Sequence, residues 1–591
     1  MTVAVKSPWQ YKLIDSFTKG VNTVERADGI AEDELLEASN VYFFKRTVKS
    51  DTGFKTRGAA VDGTPRAIYQ FFKTTGTSEL LLFTNTTAYR WLSSQWQYLH
   101  DGTSTTLSAN ASAGATSVDV TSTAGLSVGN KIGIILDDAS EFQTTIDSIA
   151  GSTINFPAGQ TLPSAATAGN AFVKAATLNG SDDEQLSFVT MPAFNWLVFT
   201  NGVDVVKYYD GAKIANLPGL PSGGNTICQA LALIDNYLIL LNTKEGGTAY
   251  PQRVRWSDTG DPTNWSSGNA SYVDLYNSED FIVTSLPFGP YIMIYRERSI
   301  VRMEYVGSST KLFNFDTLVE GEGVRSVDSV VDAGGYHVFV GNSDIYKFQG
   351  SFDITPLSRK ITNKLFGTAG EINPSYSSRS MLLYIEELDE IWLFYADANG
   401  KYPNKLARYS IQDDGWAFRD FGIPITGYGF YQRDSTQTWA ELVGSWAAQT
   451  WRWGDASLLA NSPITNLLTN DATIGNRALD YDYTTTDDNG NPIAWSFTTK
   501  DFFNPTNKIR SSFIEFAASG SSVTIEYSTD AGLTWNKFGS ATGIVMLSTD
   551  INIYRVYQQL VTKRIRFRFS GTVSGFTFEW FGFRFREEAI Q

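Results

Sequence analysis

The sequence predicts an all-β protein: a β-propeller with an inserted small β-domain and a C-terminal β-sandwich. Aromatic residues make up 14% of the chain and 50 glycines punctuate them, a composition that suits half-buried strands joined by tight turns. From Arg66 a unit recurs that consists of an apolar strand, a second strand after a turn, and an aromatic strand. Met303 and Tyr346, at matching places in two copies, stand 43 residues apart, the period of a four-stranded propeller blade. Beyond residue 493 apolar and polar residues alternate, as in "RIRFRFSG", where Ile565, Phe567 and Phe569 interleave with Arg564, Arg566 and Arg568. That is the period of a strand with one buried face.

Residues 1–65 read as an N-terminal arm laid on a larger body, with "AEDELLEASN" as one short acidic helix and Gly53, Gly58 and Gly63 in turns. Residues 66–102 and 177–460 carry the propeller, of six or seven blades. Its units include "RAIYQFFKTTGTSELLLFTNTTAYRWLSSQWQYL", "ICQALALIDNYLILL" and "EIWLFYAD", and a weaker last unit falls in 424–454. Bulky residues at successive positions fill both faces of such strands, as expected for a sheet packed between two others. Residues 103–176 break the series. They are rich in Ala, Ser, Thr and Gly, yet hold short alternating strands such as "SVDVTS" and "KIGIIL", so they form an inserted β-domain rather than a disordered linker. Residues 461–492 are polar and turn-rich and read as a connecting loop. Residues 493–591 form the sandwich.

Composition excludes several function classes. Two histidines and one cysteine leave neither a Cys/His zinc site nor an internal disulfide. Cys228, in "NTICQALALIDNYLILL", is a small buried hydrophobe, and the chain suits assembly in a reducing cytoplasm. "MTVAVKSPWQYKLIDSF" lacks the apolar run of a signal peptide, and no stretch of 18 apolar residues spans a bilayer. Forty-seven Lys and Arg against 62 Asp and Glu give a net charge of −15. That is the wrong sign for a sequence-reading nucleic-acid binder, but it suits a conduit along which a polyanion must slide.

"STDAGLTW" (528–535) fits the S-x-D-x-G-x-T-W pattern and resembles the Asp-box of sialidases. Its chemistry is that of a turn. Ser528 opens the turn, Asp530 bonds backbone amides, Gly532 takes positive φ and Trp535 folds back. "SDTGDPTNW" repeats the theme with Asp258, Gly260 and Trp265. Neither motif carries a reaction, because turn motifs specify geometry. Arg253, Arg255, Arg296, Arg298 and Arg302 show no spacing that would join them in a carboxylate-binding triad. Glu386, Glu387, Asp389 and Glu390, in "EELDEI", read as a hairpin turn rather than as the carboxyl pair of a glycosidase. His100 and His337 lack a nucleophile context, "DDNGNP" lacks the spacing of a calcium loop, and no cofactor is expected. The basic face of Arg564, Arg566 and Arg568 is either solvated or an interface to a partner or phosphate.

Taken in order, "FTKGVNTVERADGIAEDELLEASNVYF…KRTVKSDTGFKTRG", "RVRWSDTGDPTNW" and "YIMIYRERSIVRMEYVG" resemble the tail nozzle proteins of short-tailed bacteriophages, also called tail tubular protein B or packaged-DNA stabilisation proteins. The resemblance covers roughly residues 10–460; the 103–176 insert and the C-terminal sandwich depart from the smaller members. It implies a structural virion protein made in the host bacterial cytoplasm and assembled as a hexamer beneath the portal-adaptor ring, next to tail fibres or spikes. Such a ring extends the channel for double-stranded DNA, retains the packaged genome and releases it at ejection. On this reading the acidic stretch with Asp480, Asp482, Asp487 and Asp488 is a candidate to line or gate the channel. Two alternatives have other signatures: a host- or glycan-binding tail component with aromatic platforms such as Trp580 and Phe581, and a propeller glycosidase with Arg and Glu clustered on its axis.

Overall fold

The computed structural model describes residues 8–308, 311–367, 370–432, 463–481, 485–572 and 575–588. The chain is all-β. Among the described residues helix is confined to short segments at Pro192–Phe194, Pro221–Gly224, Thr362–Leu365 and Pro374–Arg379. Two compact units are present, one of Met1–Lys55, Asp328–Pro424 and Tyr481–Gln591, the other of Thr56–Val327 and Ile425–Asp480.

The unit built on Thr56–Val327 contains four antiparallel meanders of four strands, beginning at Pro65–Phe72, Ser187–Met191, Thr226–Ile234 and Ile282–Phe288. The strand Tyr237–Glu245 shows why they stack. Leu238 and Leu240 point into an apolar layer shared with Val198 and Leu217 of the preceding meander and with Trp265 of their own. Ile239 and Leu241 point the other way, into a layer shared with Ile292, Ile294 and Met303 of the next. A period of two with both phases apolar buries a sheet on both faces, at about 1.5–3 kcal/mol of stabilisation per enclosed Leu or Ile. A third layer joins Phe71, Leu81 and Phe83 to Leu197, Phe199 and Tyr209.

Residues 463–481, expected within a connecting loop, are instead the strands Pro463–Asp471 and Gly475–Tyr481. Pro463–Asp471 pairs with Gly427–Gln432, which meets Pro65–Phe72 in parallel through Tyr428 and Ala67. A Cβ at Gly427 or Gly429 would collide with the carbonyls of Arg66 or Ile68, so this approach requires bare Cα atoms. The polar composition misleads because Thr465, Asn466 and Thr469 are buried beside Leu467 and Leu468, with Asn466 donating from Nδ2 to Asp480 Oδ1 at 3.2 Å. Most of the weaker unit at 424–454 lies outside the described residues.

The segment from His100 to Ala175 forms two small sheets around its own core of Leu107, Val118, Ile132, Ile134 and Phe172. It is fastened to the edge strand Gln95–Tyr98 by side chains. The Tyr98 amide donates to Glu141 Oε2 at 2.8 Å, and Gln143 donates from Nε2 to the Trp96 carbonyl at 2.7 Å and to Glu141 Oε2 at 2.8 Å.

In the other unit, meanders begin at Val330–Asp332 and Met381–Ile385. The second does not end at its fourth strand, Gly415–Asp420. Leu35–Ser39 lies beside it in parallel, through Ser39 and Phe418, and pairs on its other edge with Trp495–Thr499. The sheet then continues through Arg564–Gly571 to Ser522–Ser528. A second sheet comprises Val41–Phe44, Thr47–Ser50, Thr577–Glu588, Lys508–Ser519 and Asn552–Thr562, with Gln10–Ile14 along Thr577–Glu588. Phe17, Phe497, Phe516, Phe567, Phe569, Phe578 and Phe581 fill the layer between them.

Two expectations are corrected here. The acidic helix is the strand Leu35–Ser39, because about ten residues make a marginal helix in isolation whereas partners on both edges satisfy every backbone group of a strand. Its acid is used locally: Glu34 Oε2 accepts from Asn22 Nδ2 at 2.9 Å and from the Ala31 amide at 3.0 Å. The N-terminal residues are likewise no surface arm, since they supply strands to both sheets.

The fastening of the inserted segment makes stability depend on pH. Burial pushes the Glu141 carboxyl up to about 7, against the hydrogen bonds from Gln143 and the Tyr98 amide. The folded state therefore holds a proton that the unfolded chain releases near its ordinary value of 4.5. Stability from this group rises as pH falls from about 7 toward 4.5, and above 7 the ionised carboxylate costs roughly 2–3 kcal/mol. Glu141→Gln should raise the thermal midpoint at pH 8 and flatten its dependence between pH 5 and 8; calorimetric scans across that range measure both.

Candidate functional site

Among the described residues, a cluster of fully buried ionisable groups lies in the unit that contains Asp51 and the meander from Met381. In the meander from Met381, Trp392 stands opposite Arg408, Phe394 opposite Leu406, and Leu406 opposite Arg419. Directly opposed residues share a face, so Glu390, Trp392, Arg408 and Arg419 all project from one side. Asp51, immediately after the strand Thr47–Ser50, is brought against them. Arg408 Nη1 lies 2.5 Å from Asp51 Oδ1 and Arg419 Nη1 lies 2.9 Å from Asp51 Oδ2, while the Tyr481 hydroxyl donates to Oδ1 at 2.7 Å. Arg408 also holds Glu390 Oε2 through Nε and Nη2 at 2.9 and 2.8 Å, and Trp392 Nε1 donates to the same oxygen at 2.6 Å. Arg419 Nη2 reaches Asp488 Oδ1 at 2.6 Å.

The electrostatics follow from three carboxylates meeting two guanidiniums. Burial alone would raise the Asp51 carboxyl, but Arg408, Arg419 and the Tyr481 hydrogen bond hold it well below the usual carboxylate range. At Glu390 burial outweighs Arg408 and the carboxyl is raised. At Asp488 burial, opposed by Arg419 and reinforced by the negative charge of Asp51, pushes it up to about 6. The guanidiniums also stack on rings, Arg408 over Trp392 at 4.8 Å and Tyr42 at 4.7 Å, and Arg419 over Phe421 at 4.4 Å. Every acid here is engaged with protein donors. The arrangement is a lock between chain segments, not a centre with a group poised for transfer.

Most of the residues singled out by sequence are held in local structure. Asp530 accepts from the Thr534 amide at 2.9 Å and from the Ser528 hydroxyl at 2.7 Å, and Ser528 Oγ accepts from the Gly532 amide at 2.8 Å. These bonds, led by those from Thr534, bring its carboxyl down to about 2. Trp535 lies under the Arg568 guanidinium at 4.2 Å. In the other turn, Asp258 accepts from the amides of Thr259 and Asn269 at 2.9 Å each, Gly260 has φ of 67°, and Trp265 is buried, donating from Nε1 to the Pro262 carbonyl at 2.8 Å.

The open basic face is corrected. Arg566 makes a two-point ion pair with Asp501 at 2.5 and 2.8 Å, Arg564 lies 3.5 Å from the same carboxylate, and Arg568 binds Glu526. The free acidic loop is corrected too. Asp480 is bidentate with Arg57 at 2.8 Å, Asp488 is in the lock, Asp487 accepts from the Gly490 amide at 2.5 Å, and Asp482 lies outside the described residues. Phe581 is core, not a platform. Four arginines of the meanders are paired close by: Arg253 with Asp274 and Glu245, Arg255 with Glu245, Arg296 with Asp280, Arg302 with Asp316. Among the described residues no three His, Cys, Asp or Glu are grouped to hold a metal. An open cleft of about 580 Å³ at the meander from Ile282 is acidic, with Glu279, Asp280, Glu297 and Glu320 against Arg298.

Sequence reasoning missed the lock. Glu390 sits in what reads as a solvated hairpin, and Arg408 and Asp51 are 357 positions apart. Removing one partner of a buried ion pair leaves an uncompensated charge, so Arg408→Ala should lower stability by about 3–5 kcal/mol. Asp530→Ala, at a solvent-facing turn, should leave the unfolding midpoint close to that of the parent. Urea unfolding of the two variants measures the contrast.

No protein-family model matches the sequence, and no curated protein does. Solved structures similar to the chain include the exo-β-1,3-galactanase of Phanerochaete chrysosporium (11% identity, 61% of this chain and 97% of that one, TM-score 0.22). A second is the GH74 xyloglucanase of Xanthomonas campestris (10% identity, 86% and 75%, TM-score 0.28). A third is PorZ, a surface component of the type-IX secretion system of Porphyromonas gingivalis (10% identity, 82% and 46%, TM-score 0.30). At these scores the likeness transfers neither activity nor partner to this chain.

Proposed function

We propose that the chain is a structural subunit of a bacteriophage tail nozzle, in which the meanders serve as blades of a β-propeller and six copies close a ring beneath the portal-adaptor ring. The observation that carries the reading is the distribution of charge. Arg253, Arg255, Arg296 and Arg302 of the meanders and Arg564, Arg566 and Arg568 of the C-terminal strand are matched to carboxylates of the same chain, while acid is left over, as at the cleft lined by Glu279, Glu297 and Glu320. Six copies of a −15 chain total −90. A wall of that sign has few free cations with which to displace counterions from DNA, so it lets the duplex slide without holding it. Retention before ejection then depends on a mechanical constriction.

The sequence resemblance over residues 10–460 adds support. Its N-terminal part, "FTKGVNTVERADGIAEDELLEASNVYF", contributes the strand that continues the meander sheet into the sandwich, a role that explains a fixed order of turn and apolar residues. Negative-stain electron microscopy of the purified protein, alone and with its cognate portal–adaptor complex, should show closed six-fold rings with a central hole once the adaptor is present. Monomers that ignore the adaptor would overturn the proposal.

A further inference from the structure

A second cleft, of about 470 Å³, opens in the unit built on Thr56–Val327, against the meander from Pro65. Its charges do not balance. Glu79 is matched by Lys73 Nζ at 2.7 Å and accepts from the Tyr209 hydroxyl at 2.7 Å. Arg57 is matched by Asp480 and stacks between Tyr431 at 4.3 Å and Trp91 at 5.2 Å. Arg90 is different. Among the described residues it has no ion-pair partner, and its buried Nε has no hydrogen-bond partner. A guanidinium with a desolvated, unmatched donor is held at a cost of kcal/mol order, and a ligand anion entering the cleft would relieve it.

The rest of the wall indicates what carries that anion. Trp91, braced edge-on by Trp96 at 4.9 Å, and Leu92, 46% exposed, are apolar. Gln70 is fixed by donating from Nε2 to Ser78 Oγ at 3.1 Å and accepting at Oε1 from the Gln432 amide at 2.7 Å, so Ser78 keeps its own hydroxyl hydrogen to donate. The volume falls within the about 300–1,000 Å³ of small-molecule sites, far more than a bare carboxylate fills. One cation, an indole, an aliphatic rim and fixed hydroxyl and amide groups together match a ring with an apolar face, hydroxyls and one carboxylate. We propose that this cleft binds an acidic sugar, with Arg90 as the partner of its carboxylate and Trp91 and Leu92 as the wall for its ring. The inference stands apart from the conduit reading, since it needs no ring of subunits.

Isothermal titration of the full chain with tetragalacturonic acid, with its neutral counterpart galactotetraose, and with acetate tests the assignment. The acidic tetrasaccharide should bind, with the neutral sugar and acetate each at least tenfold weaker. Arg90→Gln should weaken the acidic tetrasaccharide at least tenfold while melting within a few degrees of the parent. Leu92→Glu, at an exposed position that leaves folding intact, should weaken it as well by offering Arg90 a competing carboxylate. No binding of the acidic sugar, equal binding of the neutral one, or undiminished binding by both variants would overturn the proposal. Acetate binding as tightly as the sugar would reduce the cleft to a simple anion site and overturn the sugar assignment.

Discussion

The carboxylate of Asp51, enclosed between Arg408 and Arg419, is the contact on which the unit containing both chain ends depends. Each guanidinium reaches a second acid, Glu390 or Asp488, and the Tyr481 hydroxyl closes the arrangement. Three stretches far apart in sequence thus meet around one carboxylate: the residues after the strand Thr47–Ser50, the meander from Met381, and Tyr481 with Asp488, ahead of the C-terminal sandwich. Backbone pairing follows the same route. Leu35–Ser39 is the seam between Gly415–Asp420 and Trp495–Thr499, and Gly53 lies so near Asp487 that a Cβ would strike its carbonyl. Buried ion pairs contribute little net stability compared with apolar replacements, but they penalise wrong register heavily. Their place here, at the junction of one sheet with segments from both ends of the chain, fits a device that selects a single arrangement among many apolar strands of similar character.

Away from the lock, stability rests on apolar layers. The strand Tyr237–Glu245 buries both phases of its alternation, which ties its meander to a neighbour on each face through side chains. Polar chemistry is carried both by turns and by arginines on strand faces that pair with acids. Asp258, Asp530 and Glu34 bond amides, and the arginines find acids within a few strands.

The all-β class was legible because alternation is a local property: Ile565, Phe567 and Phe569 declare one face in six residues. What was not legible was long-range. Nothing in "EELDEIW" separates a buried Glu390 from its exposed neighbours Glu386 and Glu387. The Leu- and Glu-rich "AEDELLEASN" satisfies helix propensity, and only the two edges waiting on either side decide for a strand. The polar stretch through Thr465, Asn466 and Thr469 looks like a loop until its partners, Asp480 among them, are in place. Arg90 carries no sequence signal at all, because whether an arginine has an acid within ion-pair reach is decided only in space.

Hydrogen–deuterium exchange of the intact protein and of Asp51→Ala, read by mass spectrometry, tests the lock most directly. If Asp51 joins three segments into one cooperative unit, the substitution will raise exchange together in residues 41–50, 405–420 and 485–499, while 226–256 in the other unit keeps its protection. Faster exchange confined to residues near 51, with the meander from Met381 and the sandwich strands unchanged, would contradict the account.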